Sequence, residues 1–138
     1  MSDKERLLEH LASEIFCRLG VSPIHGIGVF ALRAIGKGID PLRSPVRNRG
    51  VAFSHDEIKK LPAGVRQQLK IFCYYDEDGY VIPSIGMNTM DLAIYLNHSK
   101  TPNVRMKKNG SFVSLRSIRK GEELTMDYDD SFGDTHIF

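Results

Sequence analysis

The sequence predicts a β-rich α+β domain, because many short strand-like segments are interspersed with a few short helical ones. The clearest local signal is Asn109-Gly110 between two alternating segments, 104–108 and 111–118, which is typical of a β-hairpin. At 138 residues the chain is most simply one domain, large enough for a hydrophobic core. No internal repeat or low-complexity tract interrupts it.

The N-terminal segment is predicted to be an amphipathic helix over residues 1–20, followed by the main domain over residues 21–138. Ser2 and Glu5 form a capping-box pattern, and Gly20 is a plausible end. We expect its apolar stripe to pack on the domain, with a homodimer contact as the alternative. The stripe consists of Leu7, Leu8, Leu11, Ile15, Phe16 and Leu19.

The remaining elements follow from the positions of turn and capping residues. A second capping box, Ser54 and Glu57, predicts a helix that Pro62 interrupts and that resumes as far as Phe72. The other predicted elements are a strand over 26–35, a turn at 36–38, a loop over 40–50, a strand over 78–83, a short helix over 90–96, the hairpin over 104–118 and a last strand over 122–128.

Composition excludes several classes of function. With 41% hydrophobic and 26% charged residues the chain reads as an ordinary soluble globular protein, and a net charge of +2 gives no reason to expect nucleic acid or an anionic membrane as partner. No segment approaches the ~18 apolar residues of a membrane span, and the N-terminus lacks the apolar core of a signal peptide. We expect an intracellular protein, cytoplasmic if bacterial and nuclear if eukaryotic or viral.

The two cysteines predict neither a disulfide framework nor a zinc site. Cys17 and Cys73 are interpreted as buried free thiols in a reducing compartment. His98 has no second His, Cys or carboxylate at a ligand spacing, so no metal is expected.

Three separated stretches carry the candidate chemistry: 25–31, 97–103 and 121–128. Gly26-x-Gly28 lacks the third glycine of a dinucleotide fingerprint, and fits either a plain turn or close approach of the backbone to a ligand. Asn97 and His98 can each donate and accept hydrogen bonds, which suits a small polar ligand or an internal network equally. Tyr128 after an apolar strand can be a core or a catalytic residue.

Taken together, the three stretches resemble the SET-domain protein lysine methyltransferases over about residues 22–130. The resemblance rests on Gly26-Ile27-Gly28, on Asn97-His98-Ser99 followed by Pro102-Asn103, and on Gly-Glu-Glu-Leu-Thr-Met-Asp-Tyr from Gly121 to Tyr128. It implies a fold of short curved sheets with a pseudoknot, in which the last strand and the Asn-His-Ser segment thread past each other.

The resemblance also implies a cofactor, a substrate and a set of site residues. The cofactor would be S-adenosyl-L-methionine, and the substrate a protein with an exposed lysine, such as a histone or another basic protein. Tyr128 would be the catalytic residue. Cofactor contacts would come from His25, Gly26, Ile27, Gly28, Tyr95, Asn97, His98 and Tyr128. The lysine channel would be lined by Tyr74, Tyr75, Met126 and Phe132.

The chain departs from the family pattern at several positions. Lys100 stands where members often carry a zinc-binding cysteine, and the tail has no cysteine, so we expect no zinc there; Phe132 and Phe138 are candidates to close the channel instead. Ile94 replaces a frequent arginine. These departures leave open an alternative function, a SET-fold binding module without methyltransferase activity. Strand alternation over 122–128 would place Met126 and Tyr128 on one face, toward the channel.

Overall fold

The computed structural model of the chain describes residues 1–45 and 49–131, with Ser131 described by its backbone alone. None of the helices in this part is long and apolar enough to cross a membrane. The helices are α1 (Asp3–Ser13), α2 (His55–Lys59), α3 (Ala63–Phe72), α4 (Tyr128–Ser131) and a 3₁₀ helix (Leu92–Tyr95). The strands are β1 (Cys17–Val21), β2 (Ile27–Ala31), β3 (Gly50–Phe53), β4 (Tyr74–Tyr75), β5 (Tyr80–Pro83), β6 (Asn97–His98), β7 (Val104–Met106), β8 (Phe112–Ser114) and β9 (Glu123–Met126).

The larger sheet has the order β1-β2-β9-β7-β8, with β6 paired to β9 beside this path. β1 and β2 are antiparallel, as are β2 and β9, where Val29 faces Leu124. The inner face of this sheet builds the main core of the protein, the threaded core, whose buried residues are Cys17, Val29, Ala31, Ile35, Leu96, Val104, Ile118, Leu124 and Met126.

The C-terminal strand passes through a loop of the chain, which confirms the predicted pseudoknot. β9 runs parallel to both β6 and β7, and Met126 faces His98 on one side and Val104 on the other. The chain between β6 and β7 therefore passes around β9. Asn103 fastens this crossing, since its Nδ2 donates to the Glu123 carbonyl at 2.8 Å and its Oδ1 accepts from the Thr125 N–H at 2.8 Å.

A second, smaller sheet of order β3-β5-β4 forms with α2 and α3 the insert, residues 50–83. Both arms of the predicted capping box at Ser54 and Glu57 are present, and Pro62 separates α2 from α3 as predicted. The insert has its own core of four buried residues, Ile58, Leu69, Cys73 and Tyr80.

The hairpin and the short helix near the site also form where the sequence predicts them. β7 and β8 are antiparallel around a turn in which Gly110 adopts a φ of +86°, the left-handed conformation that favours glycine. The short helix is a single 3₁₀ turn over Leu92–Tyr95. It leads directly into Leu96 and β6.

The N-terminal helix is shorter than predicted. α1 begins after the Ser2 cap, whose Oγ accepts the Glu5 N–H at 3.1 Å, but it ends at Ser13 rather than near Gly20. Residues 17–21 instead pair with β2 along their whole length. Gly20 is a strand residue opposite Gly28 of β2, and an added Cβ there would lie 3.0 Å from the Phe30 ring. Leu19 fitted the helical spacing of the apolar stripe, but it belongs to β1, where side chains alternate between the two faces of the sheet.

The prediction that the apolar stripe of α1 packs on the domain is wrong for its leucines. Leu7, Leu8 and Leu11 are 49%, 56% and 56% exposed, and α1 buries no residue. Phe16 does pack against the threaded core, with the Arg33 guanidinium 3.9 Å from its ring centroid. The homodimer contact through this helix stays a prediction.

Both cysteines are buried free thiols, as predicted. Burial raises the pKa of the Cys17 thiol to about 12 and also raises that of Cys73. Neither thiol is therefore ionised at neutral pH.

Candidate functional site

A polar cluster around Asn97 joins the loop between β1 and β2 to the threaded strands. The Asn97 Nδ2 lies 3.1 Å from the Ser22 Oγ, 3.1 Å from the His25 carbonyl, 3.3 Å from the Ile27 carbonyl and 2.9 Å from Glu123 Oε2. Two N–H bonds are shared among these four acceptors. Asn97 thereby fixes the loop before β2 against β6 and β9.

Glu123 explains why residue 28 is a glycine. The Ser22 Oγ lies 2.8 Å from both carboxylate oxygens of Glu123, and this carboxylate occupies the space that a Cβ on Gly28 would need. Gly28 is thus required by a close approach within the protein. Gly26 is required by its backbone, because its φ is +49°.

The side-chain oxygen of Asn97 accepts no hydrogen bond from the described residues. Asn97 is only 8% exposed, and no described residue donates a hydrogen bond to its Oδ1, although its Nδ2 is fully engaged. An unpaired buried acceptor costs roughly 1–3 kcal/mol. This atom therefore suits a bound group with an N–H donor, such as an ammonium.

Tyr128 is fixed by hydrogen bonds at both of its ends. Its backbone N–H donates to the His98 Nδ1 at 3.2 Å, which leaves the proton of that ring on Nε2, and the two rings lie 5.0 Å apart. Its hydroxyl donates to the Leu96 carbonyl at 2.5 Å. Burial raises the pKa of Tyr128, so the phenol stays protonated at neutral pH.

Asn97 and His98 act on opposite faces of β6, because successive side chains of a strand alternate. The contacts agree with this: Asn97 faces the loop at residues 22–28, and His98 faces Tyr128. The two neighbouring residues therefore have different tasks. Asn97 organises the loop, and His98 positions the tyrosine.

Tyr128 also lines a cavity of about 680 Å³ between the insert and the threaded core. The insert contributes Phe72, Cys73 and Tyr74 to its wall, while the threaded core contributes Leu96, Met126 and Tyr128. Ile94, at the family's arginine position, is part of the same wall. The cavity is mostly apolar, and Tyr128 forms part of its wall.

Comparison with known protein families shows to which family the chain belongs. Residues 26–129 match the family model of the SET domain. The chain belongs to the SET-domain family. Proteins of this family typically use S-adenosylmethionine, and the family is related to histone methyltransferases. The match runs from the first glycine motif to the start of α4.

Solved structures of SET proteins resemble the chain over most of its length. A candidate histone methyltransferase of Plasmodium falciparum has a TM-score of 0.50 at 21% identity, covering 86% of this chain and 96% of that one, which shows the shared fold. A humanized mutant of the Chaetomium thermophilum Polycomb Repressive Complex 2 has a TM-score of 0.55 at 25% identity, covering 90% of this chain but 16% of that chain. No curated protein sequence gives a significant match.

The structure of this SET domain brings together most, but not all, of the residues predicted for the site. Tyr74, Met126 and Tyr128 share the cavity wall, whereas Tyr75 is not among its lining residues and stacks on Tyr80 at 5.0 Å. Tyr95 makes an edge contact with the Phe72 ring, 5.9 Å between centroids. Phe132 and Phe138 lie outside the described residues.

Met126 and Tyr128 reach the same cavity for a different reason than the one predicted. β9 ends at Met126, and Tyr128 already begins α4, so strand alternation does not extend to the tyrosine. The prediction of a common strand face is wrong in its geometry. Both side chains nevertheless line the cavity, and the Tyr128 hydroxyl reaches the carbonyl of Leu96, just before β6.

Lys100 of this SET domain forms ion pairs where relatives often carry a metal-binding cysteine. Its Nζ lies 2.9 Å from Asp129 and 3.4 Å from Asp127. The hydrogen bond to Asp129 is the main cause of the raised pKa of Lys100. The pairs connect the loop around β9 to the start of α4. No three His, Cys, Asp or Glu side chains in residues 1–45 and 49–131 are grouped as metal ligands.

Sequence reasoning missed two members of the polar cluster, Ser22 and Glu123. Glu123 lies inside the recognised 121–128 stretch, so the motif marked its position but not its role. Ser22 is 101 residues away from its carboxylate partner. No local pattern could have identified it, because its importance arises only when β1 and β9 meet in one sheet.

Proposed function

We propose that this SET domain is an S-adenosyl-L-methionine-dependent protein-lysine N-methyltransferase. One observation supports this above others. Tyr128 lines a mostly apolar cavity, with its backbone N–H on His98 and its hydroxyl on the carbonyl of Leu96, the residue before Asn97. A phenol held in the wall of an apolar cavity, close in the chain fold to the polar cluster, suits transfer to an amine.

The cofactor would lie against the loop at residues 25–28 and β6. The Asn97 Oδ1 would accept a hydrogen bond from its ammonium group, which fits the unpaired buried acceptor seen there. The exposed backbone of His25, Gly26 and Ile27 would line the adenosine side. When bound, the cofactor supplies an electrophilic methyl group on a sulfonium. Tyr128 would exclude water from the reacting atoms.

The substrate lysine must lose its proton before it can react. A lysine with a pKa near 10.4 is neutral in only about one molecule in 2,500 at pH 7. The apolar walls contributed by Phe72, Ile94 and Met126 favour the neutral amine, because burial disfavours the charged form. The proton would leave to solvent before the amine is enclosed, so no side chain is assigned as a base.

Orientation would then account for most of the acceleration. The Leu96 carbonyl can accept an N–H from the amine, and the Tyr128 hydroxyl is fixed beside it. The amine would thus point its lone pair along a defined direction. The substrate class would be a protein with an exposed lysine, with a histone as the first candidate because the SET-domain family is related to histone methyltransferases.

The deciding experiment combines calorimetry with S-adenosylmethionine and a methylation assay on mixed histones. We expect Tyr128→Phe to keep the fold and the cofactor affinity while kcat falls roughly a hundredfold, because the hydroxyl orients the amine in the transition state. Tyr75→Phe, outside the cavity wall, is the matched control and should keep full activity. Near-normal methylation by Tyr128→Phe would refute the role of the tyrosine.

The same experiment separates the alternative function. Cofactor binding with no methylation of any lysine substrate would support a SET-fold binding module. Absence of cofactor binding together with absence of methylation would reject the proposed enzyme altogether.

A further inference from the structure

We propose that Lys108 is a modification site, methylated by the chain's own active site. The inference rests on the proposed function and extends it to a residue of the protein itself. It begins with the position of one side chain: Lys108 lines the same cavity as Tyr128 and Met126. All nine lysines lie in the described part of the chain, and Lys108 is the only one of them in this cavity wall.

The hairpin between β7 and β8 presents Lys108 at its tip. The Gly110 N–H donates to the Lys107 carbonyl at 3.0 Å, so Lys108 is the first of the two central residues of a turn. Lys107 donates its N–H to the Ser111 carbonyl at 2.7 Å, which closes the loop. Met106, two residues before Lys108, belongs to the same wall. The hairpin therefore places Lys108 at the edge of the cavity.

Strand register places this tip and the tyrosine on the same side of the pseudoknot. β7 and β9 run parallel, with Val104 facing Met126. Tyr128 and Lys108 follow this pair by two and by four residues in the same direction. β7 ends at Met106 and β9 at Met126, so Lys108 and Tyr128 both lie just beyond the same ends of these two parallel strands. The Lys108 amine is carried on a flexible four-carbon stem, which can extend from the turn into the shared cavity.

The Lys108 amine is also free of any competing ion pair. It is exposed, and no carboxylate in residues 1–45 or 49–131 lies within ion-pair distance of it. Lys100 differs, because Asp127 and Asp129 both bind its amine. Lys107 is exposed as well but is not part of the cavity wall. The cavity thus distinguishes two adjacent lysines.

The reaction is a simple displacement. The lone pair of the neutral Lys108 Nζ forms the new bond to the methyl carbon of S-adenosylmethionine. The carbon–sulfur bond breaks, and its electron pair remains on sulfur, which yields S-adenosylhomocysteine. The amine has already released one proton to solvent, and the methylated product releases or keeps a second according to pH.

The first test is mass spectrometry of the full chain incubated with S-adenosylmethionine alone. We expect a gain of one or more methyl groups, located on Lys108 by fragmentation. Lys108→Arg should remove this gain, while Lys107→Arg should retain it in full. Tyr128→Phe should lower it strongly, which shows that the site itself is responsible. A methyl group that remains in Lys108→Arg would overturn the proposal.

Dilution tests whether the transfer occurs within one molecule. The fractional methylation rate of Lys108 should stay constant over a tenfold dilution of the protein. A rate that falls in proportion to concentration would show transfer between copies and contradict the geometry argued above.

A second readout needs no cofactor. If the Lys108 side chain occupies the cavity, it competes with substrate, so Lys108→Met should bind a histone-tail peptide at least twofold more tightly by calorimetry. Lys107→Met removes the same charge from the next residue and should leave the affinity unchanged. Equal affinities for the two variants would count against occupancy of the cavity by Lys108.

The outcomes also separate this inference from the function on which it rests. Methylation of histones without methylation of Lys108 would overturn the inference and leave the proposed function intact. Absence of both, with the cofactor bound, would refute the enzyme and the modification together.

Discussion

The threaded core and the insert both line the same cavity, but they differ in how completely their residues are buried. In the threaded core Val29, Val104 and Leu124 are completely buried, and β9 has strands on both sides. The hydrophobic core of the insert has four buried residues, of which Tyr80 is still 9% exposed, and Gly50, Val51 and Ala52 of β3 are exposed. The cavity wall from the threaded core is therefore densely packed, whereas the wall from the insert is supported by a small hydrophobic core.

This difference corresponds to a division of labour. Tyr128 packs against the threaded core, and Asn97 and His98 form β6, which pairs with β9 of that core; close packing there fixes side chains in one arrangement. The insert contributes Phe72 and Tyr74 to the cavity but no residue of the polar cluster. We infer that the reacting geometry depends on the rigid wall and that the fit of the substrate depends on the more adaptable one.

The largest effect should come from truncating a leucine in each wall. Leu124→Ala should cost toward the upper end of the ~2–5 kcal/mol seen for buried leucines, because neighbouring strands prevent collapse around the cavity. Leu69→Ala should cost toward the lower end and should raise KM for a peptide more than the Kd for cofactor. Denaturant unfolding and steady-state kinetics measure both. Equal stability losses would remove the contrast between the walls.

Two glycines allow the same comparison between the threaded core and the insert: Gly28 in β2 and Gly64 in α3. Gly28→Ala should destabilise by roughly 1–3 kcal/mol, because its Cβ would collide with the Glu123 carboxylate that Ser22 and Asn97 hold in place. Gly64→Ala in α3 should instead stabilise by about 0.5–1 kcal/mol, since it is a helical glycine with no neighbouring atom within 4 Å of the new Cβ.

A double variant tests the cause. Adding Glu123→Ala to Gly28→Ala should restore part of the lost stability, so that the two changes together cost less than their sum. Strictly additive losses in thermal unfolding would mean that the carboxylate is not what excludes a Cβ from position 28.

The smallest effect is expected at the boundary between the walls, in the number of methyl groups transferred. Met126 is a flexible side chain next to Tyr128 and can make room for a methylated amine. We expect at least dimethyl-lysine from the wild type, and a shift toward monomethyl-lysine in Met126→Tyr, whose hydroxyl would fill that space. Mass spectrometry of a peptide product decides it. A wild type that stops at one methyl under excess cofactor would show that Met126 does not set the product.

The sequence by itself determined the elements whose signals are local. The capping box at Ser54 and Glu57, the break at Pro62 and the turn at Asn109-Gly110 each depend on neighbours within a few residues, and all appear in the structure. The ordered motifs from Gly26 to Tyr128 identified the family, and the match over residues 26–129 confirms it.

Only the tertiary structure decided how those motifs work. Gly20 resembled the end of a helix, but it pairs with Gly28 of the next strand, and Gly28 resembled a ligand contact although the side chain that requires a glycine there, Glu123, is 95 residues away. The cavity, with Lys108 on its wall, likewise joins segments that are distant in sequence. Local patterns record the backbone preferences of adjacent residues, whereas these contacts exist only after β9 has passed through its loop and brought the distant residues together.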